Sequence, residues 1–427
     1  MAGRETNRAA TEAGGLELLA PAGNLERLRV ALRFGADAVY VGLKAMSLRN
    51  FADNFTPEEL REGCHLAHSL GRRVYVTLNA FARDGDLEAL PGLLEQAAGA
   101  GADALVVNDP GVVRMARRLL PAMPLHLSTQ ANTLNAEAAA FWGEQGIRRI
   151  VLARELSIAQ MRALIERGPA GMEYEAFVHG AMCVSYSGRC LLSAYIADRD
   201  PNRGECAQPC RWKYELREQG PAAARGWYPV EQDDRGAYVL NSKDLRLIGH
   251  IPALAGAGIR SFKIEGRMKS IAYVATVVNA YRMALDAYAR CGATGEAYAL
   301  PEGVLAELDR ASHRPYTTGF ALGAPGHIQA DQSAAYVADA AICAVVLAYD
   351  AKEGVAQIEQ RNKFMDGDTL SILSPGDIGR SFVVQGIWDA AGAPRASTPH
   401  PRERLAIGCP EPLRPGDILR TAPPKTP

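Results

Sequence analysis

The sequence predicts an α/β protein: a TIM-like (β/α) barrel of somewhat irregular spacing, followed by a small C-terminal all-β domain. Three observations carry this. A phrase of amphipathic helix, glycine and short strand recurs through the first two thirds of the chain. The strands in it are nearly continuous apolar runs, as in a sheet buried on both faces. After Tyr316 the helices give way to short strands separated by Asp-Gly and Pro-Gly turns.

Taken in order, the first strand falls at Leu16 to Leu19. Phe34-Gly35-Ala36-Asp37 leads into a strand at Ala38 to Val41, and Ala100-Gly101-Ala102-Asp103 into Ala104 to Val107. Gln145-Gly146-Ile147 precedes Arg149 to Leu152, and Ala257-Gly258-Ile259 precedes Ser261 to Ile264. Each glycine suits the left-handed backbone that ends a helix. Further strands are expected at Arg73 to Leu78, Leu125 to Leu127, Tyr174 to Val178 and Ala237 to Leu240, for a total of eight or nine. Strands alternating with helices every 20 to 40 residues or so favour a closed barrel over an open sheet. No GxGxxG follows a strand, which counts against a dinucleotide fold.

The expected domains are a disordered leader at 1–15, a barrel at 16–320 with a polar insertion near 218–236, and a small β-barrel-like domain at 335–420. The last has strands at Ala344 to Tyr349, Ala356 to Glu359, Thr369 to Leu373 and Ser381 to Trp388. The chain has 427 residues, enough for a barrel of about 250 residues and one small domain. With 48% hydrophobic and 22% charged residues it has the composition of a folded protein. Its 47 basic against 48 acidic residues exclude broad, non-specific nucleic-acid binding but not a local basic rim. The polar start lacks the apolar core of an export signal, and no apolar run is long enough to span a membrane, so a cytoplasmic protein is expected.

Barrel enzymes place their chemistry at the carboxyl ends of their strands. Here those ends carry Asn79, Asn108 with Asp109, Gln130 with Asn132, Arg154 with Glu155, His179, Asn241 with Lys243 and Asp244, and Glu265 with Arg267. Any one of these serves equally well as a helix cap or turn residue. Together they predict a mouth that holds a small anionic or polar ligand. Glu155, His179, Lys243, Asp244 and Glu265 are the candidates for proton transfer, and Asn79, Asn108, Gln130, Asn132, Arg154, Asn241 and Arg267 those for binding.

Four of the eight cysteines crowd into one stretch, Cys183, Cys190, Cys206 and Cys210, spaced C-x6-C-x15-C-x3-C. Four thiolates suffice for one iron-sulfur cluster or one structural zinc. Only the second pair has the close spacing usual for zinc, so a cluster leads, with zinc and buried or redox-paired thiols as alternatives. Cys64, Cys291, Cys343 and Cys409 read as small buried hydrophobes. Cys64, His65 and His68 share a helix face, but as part of an ordinary helix. Neither HExxH nor GxSxG occurs.

The stretch from Glu175 to Ser193, Glu-Ala-Phe-Val-His-Gly-Ala-Met-Cys-Val-Ser-Tyr-Ser-Gly-Arg-Cys-Leu-Leu-Ser, resembles the signature of the collagenase-like peptidases, family thirty-two of the unassigned (U) type. Leu18-Leu-Ala-Pro-Ala-Gly23, Asn202 to Trp212, Asn241-Ser-Lys-Asp-Leu245 and Lys263-Ile-Glu-Gly-Arg267-Met-Lys269 extend the resemblance from Leu16 to Phe320. Within it, His126-Leu-Ser-Thr-Gln130-Ala-Asn132, Arg154-Glu-Leu156 and Arg361-Asn-Lys-Phe364-Met-Asp-Gly-Asp368 are similar to the branch that hydroxylates tRNA. That resemblance implies oxygen-independent 5-hydroxylation of the wobble uridine, with prephenate as co-substrate and an electron donor. It also implies a 4Fe-4S cluster on Cys183, Cys190, Cys206 and Cys210. Ubiquinone-hydroxylating relatives place a cysteine ligand after the Asn-Ser-Lys-Asp-Leu segment, where Arg246 stands here. The partner implied is the anticodon loop of tRNA, whose unpaired bases can be splayed into a pocket. Phosphate contacts are expected from Lys263, Arg267, Lys269, Arg211 and Lys213.

Overall fold

The computed structural model describes residues 15–48, 53–212, 232–233, 236–237, 242–323 and 340–421. They fall into two compact units, both discontinuous in sequence. The first holds residues 1–28, 37–268 and 314–336, and the second residues 29–36, 269–313 and 337–427. These units are interleaved along the chain, whereas the expected domains, 16–320 and 335–420, are contiguous stretches.

In the first unit, β1 (Glu17–Pro21), β2 (Ala38–Gly42), β3 (Arg73–Leu78), β4 (Ala104–Val107), β5 (Leu125–Leu127), β6 (Ile147–Val151) and β7 (Glu173–Ala181) pair in parallel in chain order. After β8 (Asp244–Arg246), the strand β9 (Ser261–Ile264) pairs in parallel with both β7 and β1 and closes the barrel at eight strands. Strand β8 lies outside the ring, antiparallel to the end of β7 at Gly180 and parallel to β10 (Tyr316–Thr317). The expected strand at Ala237 to Leu240 lies outside the described residues except for Ala237. So does the polar insertion, apart from the short ladder Gln232–Asp233 with Gly236–Ala237.

The helices follow from the sequence as read. The four glycines of the recurring phrase take φ between 83° and 100°, so each turns a helix end into the next strand. Helices α1 (Leu25–Arg33), α2 (Pro57–Ser69), α3 (Asp84–Gly99), α4 (Pro110–Leu119), α5 (Ala136–Glu144) and α6 (Ile158–Arg167) alternate with the strands. Thr56 and Glu59 cap α2 reciprocally, and Asp109 caps α4 through Gly111 and Val112. Short helices α7 (Leu192–Ala197) and α8 (Ile251–Gly256) lie between β7 and β9. Leu19, Ala38, Tyr40, Tyr75, Ala104 and Val106 form an apolar cluster from β1 to β4.

The second unit contains α9 (Ile271–Thr294), α10 (Val304–Asp309) and an eight-stranded antiparallel sheet. Its strands are β11 (Ile342–Asp350), β12 (Val355–Gln360), β13 (Thr369–Leu373), β14 (Ser381–Val383), β15 (Ile387–Trp388), β16 (Pro394–Arg395), β17 (Arg404–Gly408) and β18 (Ile418–Thr421). Their spatial order is β14-β13-β18-β11-β12-β17-β15-β16, and the ladder does not close among the described residues. Cys343, Val346, Ile358, Ile372, Phe382, Ile407 and Leu419 fill its core. Arg420, buried among these elements, reaches Thr276 at 3.0 Å and Glu307 at 2.7 Å, and Asn279 bonds the loop at Ser374 to Asp377. Among the described residues no helix is long and apolar enough to cross a membrane.

Candidate functional site

A small cavity of about 80 Å³, open to solvent, lies at the carboxyl end of the barrel. Its wall comes from consecutive strand ends: Tyr40, Thr77 and Asn79, Ser128 and Gln130, Arg154, Phe177, then Lys263, Glu265 and Arg267. Parallel strands end on the same side, which is why residues so far apart in sequence meet here.

The cations are placed by polar neighbours rather than left to solvent. Arg267 is buried and donates to Thr77 Oγ1 at 3.1 Å and Ser47 Oγ at 2.6 Å. Lys263 is paired with Glu175 at 2.7 Å and lies 4.6 Å from the Tyr40 ring centre. It is thus an internal cation of the barrel, not the exposed phosphate contact expected. Glu265 accepts from Tyr40 Oη at 3.1 Å. Asn79 donates to Ser128 Oγ at 3.2 Å. Asn79 Oδ1, Gln130 Oε1 and Arg154 Nε are buried without a partner among the described residues. Each such atom costs about 1–3 kcal/mol unless water or ligand meets it, so the wall is built for a polar guest.

The other candidates divide. His179 is buried on β7 beside the Tyr316 ring, outside the cavity lining. Asn108 is buried behind the wall with its Oδ1 unpartnered. Glu155 does not line the cavity either, and burial raises its carboxyl above the usual range. Lys243 is half-buried next to β8, and Asn241 and Lys213 lie outside the described residues. Asp244 is corrected: it forms a buried ion pair with Arg314, with Arg314 Nε at 3.0 Å, and that role holds β8 rather than moving protons.

The cysteine segment runs beside this mouth. Ser187 lines the cavity, and Asn132 donates to its carbonyl at 2.6 Å. Further along, Asn202 donates to Cys190 O, Arg203 pairs with Asp86 and reaches Phe81 O, and the amide of Gln208 donates to Cys206 Sγ at 3.4 Å. All eight cysteines are free. Burial pushes the Cys210 thiol up; Arg211 opposes this, and the thiolates of Cys183, Cys206 and Cys190 add to it. The four thiols are therefore near enough to feel one another, although no three potential ligands among the described residues stand at the spacing of a single ion. Four soft thiol donors are the set that either an iron-sulfur cluster or zinc takes. By contrast Cys64, Cys343 and Cys409 are buried, with thiols pushed up by burial to about 12, about 11 and about 11. His68 is engaged with Asp103 at 3.0 Å.

Sequence reasoning missed the floor beneath the cavity. Arg149 pairs with Glu17 at 2.5 Å and with Glu173 at 2.7 Å, while Tyr75 and Ser261 donate to Glu17 at 2.6 and 2.8 Å. Burial raises the Glu17 carboxyl, but the charge and hydrogen bond of Arg149 hold it below its usual value. His126, packed on Tyr75, is driven well down, first by burial and then by Arg149 and Lys263. Charged residues inside otherwise apolar strands, Glu17, Arg149 and Glu175, were the available signal.

Compared with known proteins, residues 23–331 match the description "Peptidase family U32" and residues 339–420 its C-terminal domain. The chain belongs to peptidase family U32. Among U32 relatives it is 40% identical to "tRNA hydroxylation protein P1" of Bacillus subtilis, over 95% of this chain and 94% of that one. It is 35% identical to "tRNA hydroxylation protein P" of Escherichia coli, over 88% and 90%. A protein of Porphyromonas gingivalis called "Collagenase" is 31% identical over 94% of this chain and 97% of its own.

Proposed function

We propose that this U32 protein is a tRNA hydroxylase that makes 5-hydroxyuridine at the wobble position without molecular oxygen, with prephenate as co-substrate. The observation that carries the reading is its likeness, end to end, to two proteins named for tRNA hydroxylation. The cavity supports it chemically. Prephenate is a dicarboxylate, and Arg154, Arg267 and Lys263 offer cationic partners, with Gln130 and Asn79 placed to orient it. Glu265, hydrogen-bonded to Tyr40, is the wall's carboxylate for holding a proton. Cys183, Cys190, Cys206 and Cys210 would hold a 4Fe-4S cluster. Such a cluster, when bound, supplies electron transfer, which an oxygen-independent hydroxylation requires. Around the segment that carries the thiols, Tyr195, Tyr186 and Trp212 are exposed, Tyr195 at 90%. Exposed aromatics suit stacking by the unpaired bases of an RNA loop.

Nucleoside mass spectrometry of tRNA from cells lacking the gene is expected to show loss of 5-hydroxyuridine and its derivatives; unchanged levels refute the reading. Anaerobically purified protein should be brown, and Cys183→Ala should lose the visible absorbance. A colourless wild type with stoichiometric zinc removes the cluster. The P. gingivalis relative favours peptidolysis as the second reading. Ser128 and Ser187 in the cavity take their hydrogen bonds from Asn79 and Arg154, not from a base. Gelatin cleavage that survives repurification and is abolished by one cavity substitution would reverse this judgement.

A further inference from the structure

Arg154 serves two structures at once. It lines the cavity, and its guanidinium also donates from Nη2 to Ser187 Oγ at 2.9 Å and from Nη1 to Ala181 O at 3.3 Å. Those two acceptors flank Cys183. Asn132, in left-handed backbone at φ 52°, fixes the same turn through Ser187 O. The next residue, Gly188, leaves no slack: a Cβ there would lie 2.7 Å from Gln130 Oε1. The turn bearing Cys183 is thus held by the wall of the cavity itself.

A guanidinium has five N–H donors. Two of them go to Ala181 and Ser187, and the buried Nε has no partner among the described residues, so Nε and the second hydrogen of Nη2 are there for a guest. A carboxylate gripped by Nε and Nη2 takes the second hydrogen of Nη2, whose first is given to Ser187, so guest and turn are held by the same nitrogen. We infer that Arg154 is a positioning residue that couples an anion in the cavity to the turn carrying Cys183. The inference rests on the reading of the cavity as an anion site. Linkage makes the coupling reciprocal: whatever the anion does to the turn, the state of the turn does to anion affinity.

Amide hydrogen exchange of the 181–190 segment, measured on the full chain as purified, tests this, with prephenate as the probe and calorimetry to establish that it binds. In wild type, saturating prephenate should change exchange across the segment several-fold. Ser187→Ala should raise basal exchange there roughly 10-fold, the loss of one charge-assisted hydrogen bond, while prephenate still binds and no longer alters the rate. Arg154→Ala should lose both the basal protection and most of the affinity. Peptides from 342–350 must stay unchanged in all variants, which separates the effect from unfolding. The inference is overturned if bound prephenate leaves the wild-type segment unaltered, or if Ser187→Ala responds as wild type does. If calorimetry finds no prephenate binding, the anion-site reading fails by itself. The coupling then falls with it, and basal rates test only whether Arg154 and Ser187 hold the turn, which unchanged exchange in both variants overturns.

Discussion

Gly42 shows how little room the mouth leaves. A Cβ there would stand 1.9 Å from Arg267 Nη1 and 2.6 Å from Ser47 Oγ, so Gly42→Ala must drive the guanidinium from its two hydroxyl partners. The expected result is a stability loss of about 1–3 kcal/mol, typical of overpacking, and a weaker grip on anions. Thermal unfolding and calorimetric titration with prephenate measure the two; unaltered affinity would remove Arg267 from the binding wall. Single residues were also where reading the sequence was least dependable. Asp244 and Glu265 look alike, each a carboxylate near a strand end. The difference lies in Arg314, which is 70 positions from Asp244 in sequence and meets it only in the fold.

At the scale of elements, the barrel strands were legible because both their faces are buried and near-continuous apolar runs are their natural composition. The cysteine segment was legible as donor chemistry but not as geometry, because its anchors are distant. Arg203 is tied to Asp86 at the start of α3, and the hydrogen bond from Arg203 lowers the Asp86 carboxyl from 3.8 to about 2. A carboxyl depressed by folding stabilises above its unfolded value and loses that contribution as pH falls through its folded one. The tie should therefore be intact above pH 3.8 and released toward about 2. Hydrogen exchange of residues 199–206 is expected to accelerate over that window in wild type. In Asp86→Asn the segment should exchange faster at neutral pH and lack this acid-dependent step. The same step in both proteins would locate the titration elsewhere. Strands β17 and β18 went unread because each is short, follows a proline-rich stretch and shows its alternation over only two or three residues.

At the scale of the molecule, the second unit depends on one buried cation. Arg420 reaches Glu307 and Thr276 from the last strand, and Glu307 is itself buried. Removing one member of a buried pair costs up to about 3–5 kcal/mol, and Arg310, 3.6 Å from Glu307, offsets part of that here. Arg420→Ala should lower the unfolding temperature of the full chain by that equivalent, and pairing it with Glu307→Leu should recover part of the loss. An Arg420→Ala protein as stable as wild type would show that solvent already satisfies Glu307. The interleaving of the two units was beyond sequence reasoning, since composition changes near Tyr316 while the units exchange chain after 28, 36, 268, 313 and 336.

The sheet order gives β18 a special place in biosynthesis. Strand β18, the last in chain order among the described strands, is inserted between β13 and β11. Until Ile418 to Thr421 emerge, the nascent domain consists of two half-sheets, each with an open, hydrogen-bond-hungry edge. A chain stalled or truncated just before Ile418 has made the other seven strands of this sheet and still lacks the one that joins them.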